Sequence, residues 1–196
     1  RQCMNGGKSI DLADIEAART LIAPTIHRTR TERSASLSDK MGVPVHLKLE
    51  HHQRTGSFKL RGATNAVLNL TDAQRAQGVV GVSTGNHGRG LAYAARQNGV
   101  RCIICMSELV PQNKIDGIKA QGAEVRIVGR SQDDAQVEVD QLVSDGMTMI
   151  PPFDHPNIIA GQGTIGLELD EDLLDLTTVL VQLSGGGLIS GVAAAL

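Results

Sequence analysis

Short β-branched runs alternate with longer amphipathic stretches along almost the entire chain, and no other feature restricts the fold as much. The runs fall at residues 45–50, 79–83, 101–106, 124–128 and 178–183. The amphipathic stretches fall at 12–22, 57–70, 86–98, 111–121, 132–144, 158–169 and 188–196. A strand that returns parallel to its neighbour needs a helical crossover. This order therefore predicts an α/β fold with a largely parallel sheet and helices on both faces. Local signals agree. Leu12, Ile15, Ala18 and Ile22 share one helical face. Thr71-Asp72-Ala73-Gln74 reads as a capping box opening a short helix. Pro111 falls at a first helical position, where a missing N–H costs nothing. Pro151-Pro152 and the turn-rich Asp154-His155-Pro156-Asn157 mark a crossing between two lobes.

Composition narrows what such a fold can bind. With 19 Lys+Arg against 21 Asp+Glu the net charge is −2, too small a field for non-specific nucleic-acid or anionic-membrane binding. Aromatics are 2% of the chain (Phe58, Tyr93 and Phe153), so a base-stacking platform has no material. No apolar run reaches the ~18 residues of a membrane span, and the first seven residues contain no apolar secretory core. Three cysteines, Cys3, Cys102 and Cys105, are too sparse for a disulfide scaffold and suit a reducing, cytoplasmic setting. The chain starts at Arg1 and stops in an apolar run at 191–196 that no cap closes, so it is expected to be part of a longer enzyme.

Three familiar patterns fail on context. Gly7-Lys8-Ser9 resembles the tail of a P-loop, but Gln2 stands where that pattern needs glycine, and no strand precedes it. Cys102 and Cys105 have metal-site spacing inside a strand, where positions three apart face opposite sides. They read as buried small hydrophobes. His51-His52 finds no third or fourth ligand at the expected spacing and reads as a pair of loop histidines, so no metal is expected.

Three other segments lie where an open parallel sheet binds its ligands, in loops leading from strand to helix. In Thr55-Gly56-Ser57-Phe58-Lys59-Leu60-Arg61-Gly62-Ala63, a lysine stands at a helix start. The positive end of the helix dipole there disfavours the ammonium and so favours the neutral amine of a nucleophilic or Schiff-base lysine. Ser83-Thr84-Gly85-Asn86-His87-Gly88 follows a strand with short polar side chains and exposed N–H groups, the makings of an anion site. Ser184-Gly185-Gly186-Gly187-Leu188 follows another strand and precedes an apolar helix, and its glycines let backbone N–H groups wrap a phosphate. The spacing of Gly185, Gly187 and Gly191 is not that of a nicotinamide-dinucleotide fingerprint.

Together the three segments, with Ala160-Gly161-Gln162-Gly163-Thr164, resemble the fold-type II pyridoxal-phosphate enzymes, specifically the threonine/serine dehydratase and serine racemase group. The resemblance covers the chain from about the first helix to Leu196. It implies a two-lobed α/β architecture, with residues 1–78 and 151–196 in a large cofactor-binding lobe and 79–150 in a small mobile lobe. It also implies pyridoxal 5'-phosphate as cofactor, attached to Lys59 with Phe58 beside it. Asn86 would meet the ring hydroxyl, and Ser184, Gly185, Gly186, Gly187 and Leu188 the phosphate. Ser83, Thr84, Gly85, Asn86 and His87 would hold the carboxylate of a small amino-acid substrate. Lys59, once released, would take the Cα proton, and β-elimination of the hydroxyl would end in a 2-oxo acid and ammonia.

Two positions depart from the family pattern. Ser184 stands where the family commonly has the first of four glycines, and Thr84 where serine racemases carry their second base. The stretches 129–140 and 151–155 look most like the hydroxyectoine-utilisation dehydratase branch. Racemisation on the same fold, or a non-catalytic binding module, are the alternatives. A homo-oligomer is expected, with the partner of the pyridine nitrogen supplied beyond Leu196.

Overall fold

Residues 10–196 are described by a computed structural model. In chain order the elements are α1 (Leu12–Ile22), β1 (Thr31–Arg33), α2 (Ala35–Met41), β2 (His46–Lys48), a 3-10 turn (Glu50–His52), α3 (Lys59–Leu68), α4 (Asp72–Gln77) and β3 (Val79–Val82). There follow α5 (Asn86–Gln97), β4 (Cys102–Met106), α6 (Gln112–Lys119), β5 (Glu124–Ile127), α7 (Gln132–Ser144), β6 (Thr148–Met149), α8 (Pro156–Asp172) and α9 (Gly187–Ala195). The Gly7-Lys8-Ser9 pattern and Cys3 lie outside the described residues.

Four strands form a parallel sheet in the order β5-β4-β3-β6. Its two central strands are buried at every position, which is why they read as continuous apolar runs rather than alternating ones. One face packs Val79, Cys102, Ile104 and Met106 against Ala63 and Val67 of α3, Leu91 and Ala95 of α5, and Ile115 and Ile118 of α6. The other packs Val80, Val82, Ile103 and Cys105 against Ala135, Val139 and Leu142 of α7. Cys102 and Cys105 therefore face opposite sides as free, buried thiols. Burial raises both, Cys102 to about 12 and Cys105 to about 11. The Thr71 capping box is present, with Gln74 returning the bond.

Several expectations are corrected. The run at 45–50 does not join the parallel sheet. Its ordered part, β2, pairs antiparallel with β1, which the run pattern does not reveal, through Thr31↔Lys48, Glu32↔Leu47 and Arg33↔His46. Two of its three residues are exposed, whereas a strand covered on both faces would be buried throughout. The run at 178–183 forms no regular element and has no ladder partner among the described residues. Its alternation is nonetheless real, since Val179 and Val181 pack against Ile165, Leu169 and Val192 while Leu180 is exposed. β6 is too short for periodicity to register, yet it extends the sheet on the β3 side, with Ile150 N–H donating to Val80 O. Pro111 caps α6 from one residue outside it. His155, expected in a turn, is the N-cap of α8, its Nδ1 accepting from Asn157 N–H.

Glycine sets how closely α8 approaches α3. A Cβ on Gly161 would stand 2.6 Å from Gly62 Cα and 2.8 Å from Arg61 O. The Ala160-Gly161-Gln162-Gly163-Thr164 stretch is thus the seam along which the helix beginning at Lys59 lies on α8.

Candidate functional site

Three loops and one peptide stretch meet at the start of α3. Lys59 is the first residue of that helix, half-buried, and its Nζ donates to Pro152 O at 2.6 Å. Burial lowers the pKa of the amine, because the ammonium form loses hydration that one carbonyl only partly replaces. The helix N-terminus acts in the same direction. Nζ also lies 5.3 Å from the Phe58 ring centroid and 6.0 Å from that of Phe153. Phe58 itself packs on the Ile165, Leu169 and Val192 cluster.

The second loop comes off β3. Ser83 Oγ accepts from Gly88 N–H at 2.9 Å and from Gly85 N–H at 3.3 Å, folding the turn that starts α5. Thr84 and Asn86 are exposed, and Gly85 is partly so. His87 points inward and is buried, with Nε2 2.9 Å from Ile150 O. A carbonyl can only accept, so Nε2 carries a proton, and burial keeps the ring neutral near pH 7. Its pKa is pushed down to about 4, by burial first and further by Lys59, while the Ile150 bond opposes the shift. Behind the loop, a Cβ on Gly90 would come within 3.2 Å of Leu60 N, so α5 rests directly on the first turn of α3.

The third loop precedes α9. Gly186 caps that helix in the left-handed region (φ 86), and the first bond onto the cap is Ser190 N–H to Gly186 O. Gly186 N–H itself goes to Leu183 O. The N–H groups of Gly187, Leu188 and Ile189 are thus left without a helical partner at the positive end of the helix, the arrangement that receives a phosphate. Ser184 has φ 43, a conformation that glycine adopts freely and serine at a cost of ~1 kcal/mol. This is the position where the family pattern has glycine.

All three loops converge on residues 150–153, where the Pro151-Pro152 step of the expected lobe crossing lies and where no site residue is expected from the sequence. His87 is bonded to Ile150 O, Lys59 to Pro152 O, and the glycine turn lies against Phe153. A Cβ on Gly185 would overlap the Phe153 ring carbons, and one on Gly187 would stand 2.5 Å from Phe153 O. Two of the three glycines are therefore required by the neighbouring phenylalanine, whereas Gly186 has open space and is required by its φ. The available signal was that Phe153 is one of only three aromatics and follows two prolines. The paired histidines His51 and His52 are exposed on the 3-10 turn, and no metal-binding cluster occurs among the described residues.

The residues fit a phosphorylated aldehyde cofactor. They combine an amine biased toward its neutral form, unpaired N–H groups at a helix start, and aromatic surface between them. Known proteins agree. The chain is 59% identical over 193 residues to a protein of Sinorhizobium fredii described as "Putative threonine dehydratase", covering 98% of this chain and 58% of that protein. It is 42% identical over 189 residues to the L-threonine dehydratase catabolic TdcB of Staphylococcus aureus, covering 95% of this chain and 55% of that protein. The chain thus spans little more than half the length of these curated relatives. The serine racemase of Dictyostelium discoideum superimposes with a TM-score of 0.92 at 35% identity, covering 96% of this chain and 62% of that one. The processed form of threonine deaminase isoform 2 from Solanum lycopersicum gives 0.90 at 40%, covering 94% and 53%. Among the described residues no helix is long and apolar enough to cross a membrane. With residues 22–196 matching the family described as "Pyridoxal-phosphate dependent enzyme", the chain belongs to that family.

Proposed function

We propose that the protein is a pyridoxal-phosphate-dependent ammonia-lyase acting on a β-hydroxy amino acid of the L-threonine or L-serine type, with a 2-oxo acid and ammonia as products. The observation that carries this reading is the 2.6 Å bond from Lys59 Nζ to Pro152 O. It holds a half-buried amine next to Phe153 and, through it, next to the glycine turn. The relatives named as threonine dehydratases support the reaction class.

In this reading Lys59 attaches the cofactor, and Ser184, Gly185, Gly186, Gly187 and Leu188 hold its phosphate. Asn86 meets its ring hydroxyl. The bound cofactor supplies an electron sink for negative charge developing at the substrate Cα. Ser83, Thr84, Gly85, Asn86 and His87 receive the substrate carboxylate at the start of α5. Because His87 stays neutral and donates to Ile150 O, its ring adds no charge and holds the loop in shape. Lys59 Nζ, uncharged when released, accepts the Cα proton. Residues 79–150 act as the small lobe, whose approach to the remainder excludes water from that proton transfer. The free, buried Cys102 and Cys105 suit a reducing compartment, and we place the protein in the cytoplasm as a homo-oligomer.

A second reading is serine racemisation, favoured by the serine racemase likeness and by an exposed hydroxyl residue, Thr84, in the substrate loop. A substrate from hydroxyectoine breakdown is the finer possibility, supported by the stretches 129–140 and 151–155. The full-length protein supplied with pyridoxal 5'-phosphate is expected to turn yellow, and Lys59→Ala to stay colourless. A wild-type protein that stays colourless with Lys59 unmodified overturns the proposal. Product analysis with L-serine, L-threonine and hydroxyectoine-pathway intermediates then separates elimination from racemisation and identifies the substrate.

A further inference from the structure

Beneath the first turn of α3 lies a buried charge cluster to which the reaction assigns no part. Arg61 is fully buried, two residues beyond Lys59. Its Nε and Nη2 donate to Glu50 at 3.0 and 2.8 Å. Its Nη1 and Nη2 donate to Glu168 at 2.6 and 2.9 Å, and Nη1 also donates to Thr164 Oγ1 at 3.1 Å. A guanidinium has five N–H groups, and here every one is used. Lys48 Nζ completes the cluster, 2.7 Å from Glu168 and donating to Thr29 O at 2.8 Å. Thr29 Oγ1 in turn donates to Glu50 at 2.6 Å. At its core two cations face two carboxylates, and Lys48 Nζ also lies 3.5 Å from Asp172, which pairs with Arg28 nearer the surface.

We propose that Arg61 is a positioning residue for Lys59. By saturating its fork between the 3-10 turn and α8, it sets the depth and rotation of α3, and thereby keeps Nζ in its slot at Pro152. The inference rests on the functional reading above and names a residue that reading leaves unassigned. A buried ion cluster is a poor source of stability, since well-packed apolar side chains of the same volume do as well or better. Its distinctive property is direction. Apolar contact, such as the Gly62–Gly161 seam, fixes how closely two helices approach but leaves sliding and rotation along the seam less defined than five bonds of fixed geometry do.

The placement fits that use. Glu50 lies on the turn just ahead of the loop that delivers Lys59. Thr164 and Glu168 occupy successive turns of α8, and the chain entering α8 carries Pro152 and Phe153. One side chain thus ties the carrier of the amine to the carrier of its hydrogen-bond partner.

The test uses the full-length protein and reads Lys59 directly. Amine-reactive labelling of Lys59 is followed against pH by mass spectrometry, alongside its capture by pyridoxal 5'-phosphate and borohydride, thermal unfolding, and kcat and KM for L-threonine. Arg61→Lys keeps the charge but has three donors instead of five. In that variant the labelling midpoint of Lys59 is expected to rise toward that of an ordinary lysine. With a displacement near 1 Å, kcat is expected to fall about 10- to 100-fold with KM little changed. Thr164→Val removes one of the five acceptors without unpairing a charge, and should give a smaller shift in the same direction. Unchanged Lys59 labelling in a folded Arg61→Lys protein, whatever its melting temperature, overturns the proposal. If Arg61→Lys does not fold, unchanged labelling in Thr164→Val overturns it equally. Wild-type Lys59 that the cofactor does not capture counts against the functional reading instead, and the labelling profiles still decide the role of Arg61.

Discussion

Replacing Gly161 with alanine tests whether the seam between α3 and α8 positions the amine. The new Cβ would stand 2.6 Å from Gly62 Cα, 2.8 Å from Arg61 O and 2.9 Å from Gly62 N, all backbone atoms of one helix. No rotamer change relieves such a contact. Carbon atoms settle about 3.5–4.0 Å apart, so α3 must move off α8 by about 1 Å. Overpacking of this kind costs ~1–3 kcal/mol, and the better helix propensity of alanine returns ~0.5–1 kcal/mol. The net loss of ~1–2 kcal/mol corresponds to a melting temperature lower by about 2–8 °C for a protein of this size. Catalysis should suffer far more. The helix that moves begins at Lys59, whose bond to Pro152 O spans two separate elements, and a 1 Å misplacement of a reacting group costs ~10²-fold. Calorimetry and steady-state rates on the same preparation check the split. A Gly161→Ala protein with kcat within about twofold of the parent would refute the claim that this seam sets the geometry of the amine.

Other perturbations probe the remaining contacts. Gly185→Ala should weaken binding of pyridoxal 5'-phosphate at least ~10-fold by driving its Cβ into the Phe153 ring, measured by absorbance titration. Lowering the pH tests His87. Its ordinary pKa near 6.5 is pushed down to about 4 on folding, so between those values the unfolded chain takes up a proton that the folded chain refuses. Stability should therefore fall as the pH drops through that window, by roughly 3 kcal/mol from this residue alone. Urea midpoints at pH 7 and pH 4.5 should converge in His87→Gln, which keeps a donor for Ile150 O; an equal loss in both proteins would contradict the assignment. Cys102 and Cys105, with thiols raised by burial, should resist iodoacetamide at pH 8 in the native protein and react fully in denaturant, as read by mass spectrometry.

What could be read from the sequence was whatever a residue does within its own element. The stretches 12–22 and 132–144 became α1 and α7 to the residue, each opened by a capping box on Asp11 or Ser131. The central strands declared themselves because burial on both faces leaves no polar position to interrupt them. Pairing was not legible. β2 has the composition of a strand but joins β1 because its exposed residues cannot enter a covered sheet. The site suffers from the same gap, since its decisive contacts join residues 93 positions apart for Lys59 and Pro152, and 107 for Arg61 and Glu168. Nothing periodic marks 150–153, and an arginine in the first turn of a helix looks like a surface charge until its acceptors are known.

Glycine is the intermediate case, because a missing side chain announces that something lies close without saying what. The run 185–187 suggested a phosphate as the close neighbour, and for Gly185 and Gly187 the neighbour in the structure is Phe153. The two causes make different demands. If the ring imposes glycine at 185, then Phe153→Ala should restore cofactor affinity to Gly185→Ala. It should do nothing for Gly186→Ala, whose left-handed backbone penalises a Cβ by ~1 kcal/mol whatever stands nearby. Failure to rescue Gly185→Ala would mean that the phosphate alone fixes the turn and that Phe153 merely fills the space it leaves, whereas rescue of both variants would mean that the ring also limits Gly186.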